Sequence, residues 1–306
     1  MFKNNFYLTS DYNLFCNVTS GILYGKTIFK KMNAVNFIKK KTPIVYVMLS
    51  LDCDTYNDSY ALKQINQVLD YYDIKVSIAA TAKLVEKNVC LYDDFLSSGH
   101  ELVNHGYSLH SGIDEVGRTY STFFYNDVDW KFIQYEIEQA QRTYYNLFGF
   151  YPVGFRAPHF GVFQGQNEVL KLYEILKSTG FDYSSSVMVY NMLKNSWNFF
   201  SNDVIEIPVT NRVELPYSVI DSYSLVYNKG YNKRKNKFYN ALKHAVDIAC
   251  NAEHDMFINI YFDPSQMVDN EELSLSINYM VQKYKNIEFM RYGDFIKIID
   301  ENRKDT

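Results

Sequence analysis

Apolar positions along this chain change period repeatedly, and the changes mark out its elements. The run Ile44–Leu51 (IVYVMLSL) is almost continuously apolar, with Pro43 before it and an acidic cluster after it. A run of that length and character predicts a strand buried on both faces. Residues 58–72 then place Leu62, Ile65, Val68 and Leu69 on one face of a helix. The alternation continues with a strand over Val76–Ala80, a helix over 91–98, a strand over His100–Val103 and a long amphipathic helix over Val128–Phe148. A strand over Val153–Phe155 precedes a helix over 167–179, which Gly180 is suited to stop. The second half repeats the theme: strands over Val204–Val209, Met256–Tyr261 and Ile287–Phe289, with helices over 236–250, 270–284 and 292–300.

Strand and helix in alternation predict a parallel sheet, either a closed barrel or an open doubly wound sheet. Periodicity does not choose between them. No glycine-rich GxGxxG or GxxxxGK[ST] follows the first strand, which argues against nucleotide-phosphate binding there. The chain has 306 residues, 47% of them hydrophobic, enough for a substantial core. Its net charge of −4 leaves no electrostatic footprint for nucleic acid or for an acidic membrane face. The 28 tyrosines read as compositional drift. Cys16, Cys53, Cys90 and Cys250 are scattered, with no CxxC pair, as expected of a reducing compartment. The start, MFKNNFYLTSDYNLF, lacks the apolar core of a signal peptide, and no stretch approaches the ~20 apolar residues of a membrane span. The expected location is therefore cytoplasmic.

Four clusters carry chemistry, and each falls at the end of a predicted strand. Asp52 and Asp54 follow the first strand, two apart and so on one face. Their repulsion would be relieved by a divalent cation held on one carboxylate, with the other left free as a base. The plain alternative is a solvated turn that caps the next helix. The string Gly99–His110 holds His100, His105 and His110, half of the six histidines in the chain. Clustered imidazoles beside carboxylates suit zinc or a similar ion; otherwise His100 is a packed strand-start residue and His110 a surface one. Arg156, in Gly154–Phe160, could hold an acid such as Asp52 ionised and oriented, or could form a structural ion pair. Asp263, before Pro264, is either a further site acid or a turn starter.

The order of these motifs resembles the polysaccharide deacetylase (NodB-homology) family, over roughly residues 44–300. Phrases such as Gly180–Ser186, Glu206–Val209 and Phe289–Phe295 are also similar to that family. The resemblance implies an α/β fold, a distorted (β/α) barrel with seven or so parallel strands. The barrel would span 43–306, with residues 1–42 as an N-terminal extension packed on it. It also implies a divalent metal, zinc first with cobalt or manganese as alternatives, and hydrolysis of an N-acetyl group from an amino sugar. Carried over by position, Asp52 matches the general base, Asp54 and His105 match metal ligands, and Arg156 matches the residue that orients the base. His159 falls beside the backbone N–H that helps hold the oxyanion.

Two positions depart from the family pattern. The second metal histidine is expected four residues after His105, where Leu109 stands, and His110 follows it. On a regular helix four residues return to within ~40° of the same face and five land ~140° away. His110 can therefore bind only from a looped backbone. The late motif presents Asp263-Pro264 where the family has His-Pro, and a free Asp with a pKa near ~3.9 is a poor acid at neutral pH unless burial raises it. Asp263 or His159 would have to protonate the departing amine. The expected partner is an acetamido-sugar substrate, lipid- or nucleotide-linked, with no nucleic acid and no transmembrane segment. The alternative is an inactive barrel of this kind that binds a carbohydrate or a protein partner. The basic segment Lys229–Lys237 reads as a solvated loop, or as a contact for a phosphate-bearing substrate.

Overall fold

The computed structural model describes residues 11–35, 42–115, 119–194, 204–227 and 236–304. Helix α1 (Asp11–Met32) comes first, within the expected N-terminal extension, where no element is predicted. It is followed by β1 (Val45–Cys53), α2 (Tyr56–Tyr71), β2 (Ser77–Ala80), α3 (Ala82–Lys87), α4 (Val89–Ser97) and β3 (Glu101–Asn104). A small hairpin, β4 (Ser111–Ile113) and β5 (Thr119–Ser121), precedes α5 (Trp130–Phe148), β6 (Gly154–Phe155), α6 (Gln166–Ser178) and β7 (Tyr183–Ser184). Then come α7 (Val189–Lys194), β8 (Ile205–Glu206), α8 (Lys237–Cys250), β9 (Met256–Phe262), α9 (Pro264–Met267), α10 (Glu272–Lys283), β10 (Ile287–Phe289) and α11 (Tyr292–Lys304).

β1 is the axis of the sheet. One edge pairs with β9 from Val45 to Leu51, while the other is shared by β10 (Val45–Val47) and β2 (Ser50–Cys53). From β2 the sheet continues through β3, β6, β7 and β8, every pair parallel. Seven strands thus make the curled wall of a distorted (β/α) barrel, and short β10 is added beneath β2. The gap between β8 and β9 is bridged through Asn259: Thr210 N–H donates to its carbonyl (2.8 Å), its N–H donates to Thr210 Oγ1 (2.9 Å), and its side-chain amide donates to the Ile207 and Pro208 carbonyls (3.2 and 3.1 Å). β8 is shorter than its apolar run because Pro208 has no N–H to give a ladder.

All nine residues of β1 are buried, which explains the unbroken apolar run. Its inward side chains, Tyr46 and Met48, pack with Ala79, Val103, Tyr183 and Phe257 inside the barrel. Its outward ones, including Val47, Leu49 and Leu51, pack under the helices with Leu62, Ile65 and Leu69 of α2. Each such side chain, fully buried, contributes about 1.5–3 kcal/mol. Local signals set the helix ends. Thr55 and Asp58 form a reciprocal capping box for α2, Asp129 caps α5, and Gly149 (φ +76°) ends it in the left-handed region. The helix expected at 91–98 is α4, and the shorter α3, which meets it at Asn88, is an addition to the expected elements. α1 lies on the loop after β8: a Cβ at Gly21 would come 2.0 Å from the Glu214 carbonyl oxygen, and one at Gly25 2.4 Å from that of Val213. Lys229–Lys235 of the basic segment lie outside the described residues.

His100 sits at the start of β3, away from the mouth of the barrel. Its ring stacks on Phe95 at 3.9 Å. Nδ1 accepts the Val76 N–H at 3.1 Å, so the proton is on Nε2, which donates to Asn66 Oδ1 at 2.7 Å. Burial, then the nearby Lys75, lowers its pKa to about 4. The folded value lies below the unfolded one, so the unfolded chain takes up the proton first, and stability falls as pH drops from about 6.5 towards 4. Urea unfolding at pH 6.5 and 4.5 should show a loss of roughly 2 kcal/mol from this group. In His100→Asn that part of the pH dependence should be missing.

Candidate functional site

Arg156 follows β6 and is completely buried. Its guanidinium is saturated. Nη1 donates to Asp52 Oδ1 (2.6 Å) and Ser50 Oγ (2.9 Å), Nε to Ser185 O (3.0 Å), and Nη2 to Ser185 Oγ (3.0 Å) and to the Tyr292 hydroxyl. All five N–H donors are therefore used. The rings of Tyr261, Tyr292 and Phe160 surround it at 5.4, 5.6 and 5.8 Å. Burial opposes its charge, but Asp52 outweighs burial and holds the group above its ordinary value. Tyr292 donates onward to Asn259 Oδ1 at 2.7 Å, so the pair is tied to β9 as well.

Asp54 lies one residue beyond β1 and His105 one residue beyond β3. His105 Nδ1–H donates to the Arg156 carbonyl at 2.8 Å, which leaves Nε2 with its lone pair, 3.2 Å from Asp54 Oδ1. The chain beyond His105 is a loop and not a helix, so the angular argument against His110 does not apply. Gly106 turns at φ +80°, and Asn104 Oδ1 accepts its N–H at 2.9 Å. Glu136 of α5, buried, accepts both the N–H and the hydroxyl of Ser108 at 2.7 and 2.9 Å. The His110 carbonyl is held by Thr122 N–H (2.8 Å) and by His159 Nε2–H (3.0 Å). Pinned in this way, His110 brings Nε2 to 2.8 Å from Asp54 Oδ1.

The three ligand atoms of Asp54, His105 and His110 lie within 4.8 Å of one another. Asp54 Oδ1 and His110 Nε2, although close, do not meet in hydrogen-bond geometry, and both are buried with no other partner among the described residues. Buried lone pairs converging without a donor are what a cation would relieve. One carboxylate and two imidazoles suit a divalent transition ion and leave coordination positions open. Burial alone would raise Asp54; positive charge at its side, carried by a protonated imidazole or by a cation in its place, outweighs burial and holds the carboxyl well below the usual range. Burial lowers His110 to about 4, keeping it neutral.

The polysaccharide deacetylase family model matches residues 39–182, a span that holds Asp52, Asp54, His105, His110, Arg156 and His159 and stops before Asp263. Over that span, just under half of the chain, the sequence is similar to the polysaccharide deacetylases. A structure assigned as a polysaccharide deacetylase from Mycobacterium smegmatis superposes with TM-score 0.64 at 11% identity, over 88% of this chain and 95% of that one. The Puue allantoinase gives 0.62 at 15% identity, over 83% and 89%. A protein assigned as a polysaccharide deacetylase from Pseudomonas aeruginosa PAO1 gives 0.59 at 15%, over 83% and 90%. At such identities the likeness is one of fold. No curated protein matches the sequence.

In this deacetylase-type barrel the other predicted site residues also reach the mouth. His159 is in the left-handed region (φ +47°), its ring perpendicular to His110 at 4.8 Å, and burial lowers its pKa. Asp263 follows β9. Its N–H donates to Ser222 Oγ at 2.9 Å, and Oδ2 accepts the Gln266 amide. Burial first, and then the charges of Asp58, Asp54, Asp52 and Asp221, push its carboxyl well above the usual range. His100 takes no part.

Several supports went unassigned at the level of sequence. Asp58 is the chief one. One oxygen accepts the Ser265 N–H and hydroxyl at 3.1 and 2.5 Å, and the other accepts the Thr55 N–H and hydroxyl at 2.9 and 2.7 Å and the Asp54 N–H at 3.3 Å. It therefore joins the loop after β1 to the loop after β9. The Thr55-x-x-Asp58 spacing was a legible cap signal; the partnership with Ser265, 207 residues away, was not. Ser50 had no local signal, and although Ser185 and Tyr292 lie in stretches similar to the family, nothing in those stretches marked them as partners of Arg156. Because the Asp52–Arg156 pair is buried, Arg156→Met should lower unfolding stability by about 3–5 kcal/mol. Asp52→Asn in the same chain should recover part of that loss, which a double-mutant cycle by denaturant unfolding would measure.

Proposed function

We propose that this chain is a metal-dependent hydrolase that removes an N-acetyl group from an amino sugar of a polysaccharide or glycolipid precursor. The observation that carries the reading is the convergence of Asp54, His105 and His110 beside the buried Asp52–Arg156 pair. Asp54, His105 and His110 would hold the ion, zinc first with cobalt or manganese as alternatives. When bound, it would supply Lewis-acid polarisation of the amide carbonyl and activation of water.

The chain's own residues supply the rest. Arg156 occupies Oδ1 of Asp52 and fixes its carboxylate, so Oδ2 is the oxygen left to take a proton from water. The backbone N–H beside His159 would serve the oxyanion, as the family resemblance implies, and His159 itself holds the His110 carbonyl. Breaking the C–N bond leaves an amine that needs a proton. Asp263, its carboxyl raised by burial and by neighbouring acids, is the donor in place of a histidine. We infer a cytoplasmic enzyme whose acetamido sugar is carried on a lipid or nucleotide. No helix among the described residues is long and apolar enough to cross a membrane.

Metal analysis and acetate release from a panel of acetamido sugars test the reading. Asp54→Ala should lose the bound metal. Asp52→Asn should keep it and lose about 10²–10⁴ in turnover. A carefully purified wild-type protein without metal would sink the mechanism. A protein that binds metal and glycan yet releases no acetate would be the inactive, carbohydrate- or protein-binding form that the Asp263-Pro264 motif also allows.

A further inference from the structure

Thr81 is completely buried, and its hydroxyl has no hydrogen-bond partner among the described residues. It precedes α3 as the N-terminal cap residue, yet its side chain makes no capping bond. Its place in the sheet is well defined. The β1–β2 ladder runs from Ser50 opposite Ser77 to Cys53 opposite Ala80. The Thr81 N–H continues it to the Cys53 carbonyl at 3.5 Å, which sets Thr81 opposite Asp54. On the other edge Ala80 pairs with Asn104, so Thr81 is level with His105.

The alternation of the strand gives the direction. Ile78 and Ala80 pack outward under the helices, whereas Ala79 packs inside the barrel with Tyr46, Met48 and Val103. Position 81 falls on the same inner face as Ala79. A buried hydroxyl therefore lies level with two members of the proposed metal cluster and donates to nothing among the described residues. Valine would fill the same space without the cost of desolvating a hydroxyl. The retained hydroxyl implies a partner that the fold does not provide.

We propose that Thr81 is a ligand-contacting residue of this site, its hydroxyl donating a hydrogen bond to an oxygen of the acyl group, in the substrate and in released acetate. The inference rests on the deacetylase reading above and assigns it a further residue.

Thr81→Val and Thr81→Ser separate this role from packing. Four quantities are measured on the zinc-loaded proteins: kcat/KM on an acetamido sugar that the wild type cleaves, inhibition by acetate, zinc content, and Tm. Thr81→Val should lower kcat/KM by about 10–100-fold and weaken acetate inhibition by roughly tenfold. Its zinc content should be unchanged and its Tm equal or higher, because the orphaned hydroxyl is gone. Thr81→Ser should restore most of the activity. Thr81→Val with wild-type kinetics and acetate inhibition overturns the proposal. So does a fall in Tm that accompanies the loss of activity and is not rescued by serine. A wild-type protein that releases no acetate removes the deacetylase reading and the acyl ligand with it. An active wild type beside an equally active Thr81→Val removes only the role of Thr81.

Discussion

The buried ion pair between Arg156 and Asp52 organises the mouth of this barrel. A guanidinium with no solvent is tolerable only if every N–H is met, and here each one is, by groups from β1, the segment after β7, and the start of α11. Those partners lie at widely separated positions in the chain. The pair therefore forms only when the sheet has curled far enough to bring β1, β6 and β7 around one point. Its desolvation cost is offset by this saturation, and the same saturation fixes the Asp52 carboxylate in one orientation.

The candidate cation site depends on that arrangement through one atom. The Arg156 carbonyl accepts a hydrogen bond from His105 Nδ1–H and so aims Nε2 at Asp54. A backbone carbonyl as the orienting partner of a ligand-type histidine sets both tautomer and ring plane. His110 is set differently, by a loop that Gly106, Glu136, Thr122 and His159 hold from four sides. Such a loop explains how a histidine five residues beyond His105 can share a focus with it. Asp58 completes the frame by binding the strand-end loops of β1 and β9 to each other. Asp54 and Asp263 thus sit on one tied unit, whatever their chemical parts.

The acids at the mouth raise one another's cost of ionisation. Burial and the facing carboxylates raise Asp263, while positive charge beside Asp54 holds it low. Carboxylates in one small space thus sit in opposite electrostatic settings because their neighbours differ. That divergence is the physical basis for assigning one a ligand role and another a proton-donor role.

The amino-acid pattern by itself determined the strand–helix alternation, since a period near two or an unbroken apolar run is a property of the local chain. It also placed acids, histidines and an arginine at strand ends, and motif order carried the resemblance to a barrel family. Elements with little periodicity escaped it: the two-residue β7, the β4–β5 hairpin, and α1 in a stretch of mixed character. Tertiary structure alone decided that the sheet curls, because pairing β1 with both β2 and β9 is a long-range choice. It alone showed that Leu109 need not stand where a ligand is expected, because a loop's path follows from what holds it. Asp58, Ser185, Tyr292 and Thr81 gain their significance only from neighbours distant in the chain, and no local pattern encodes such neighbours.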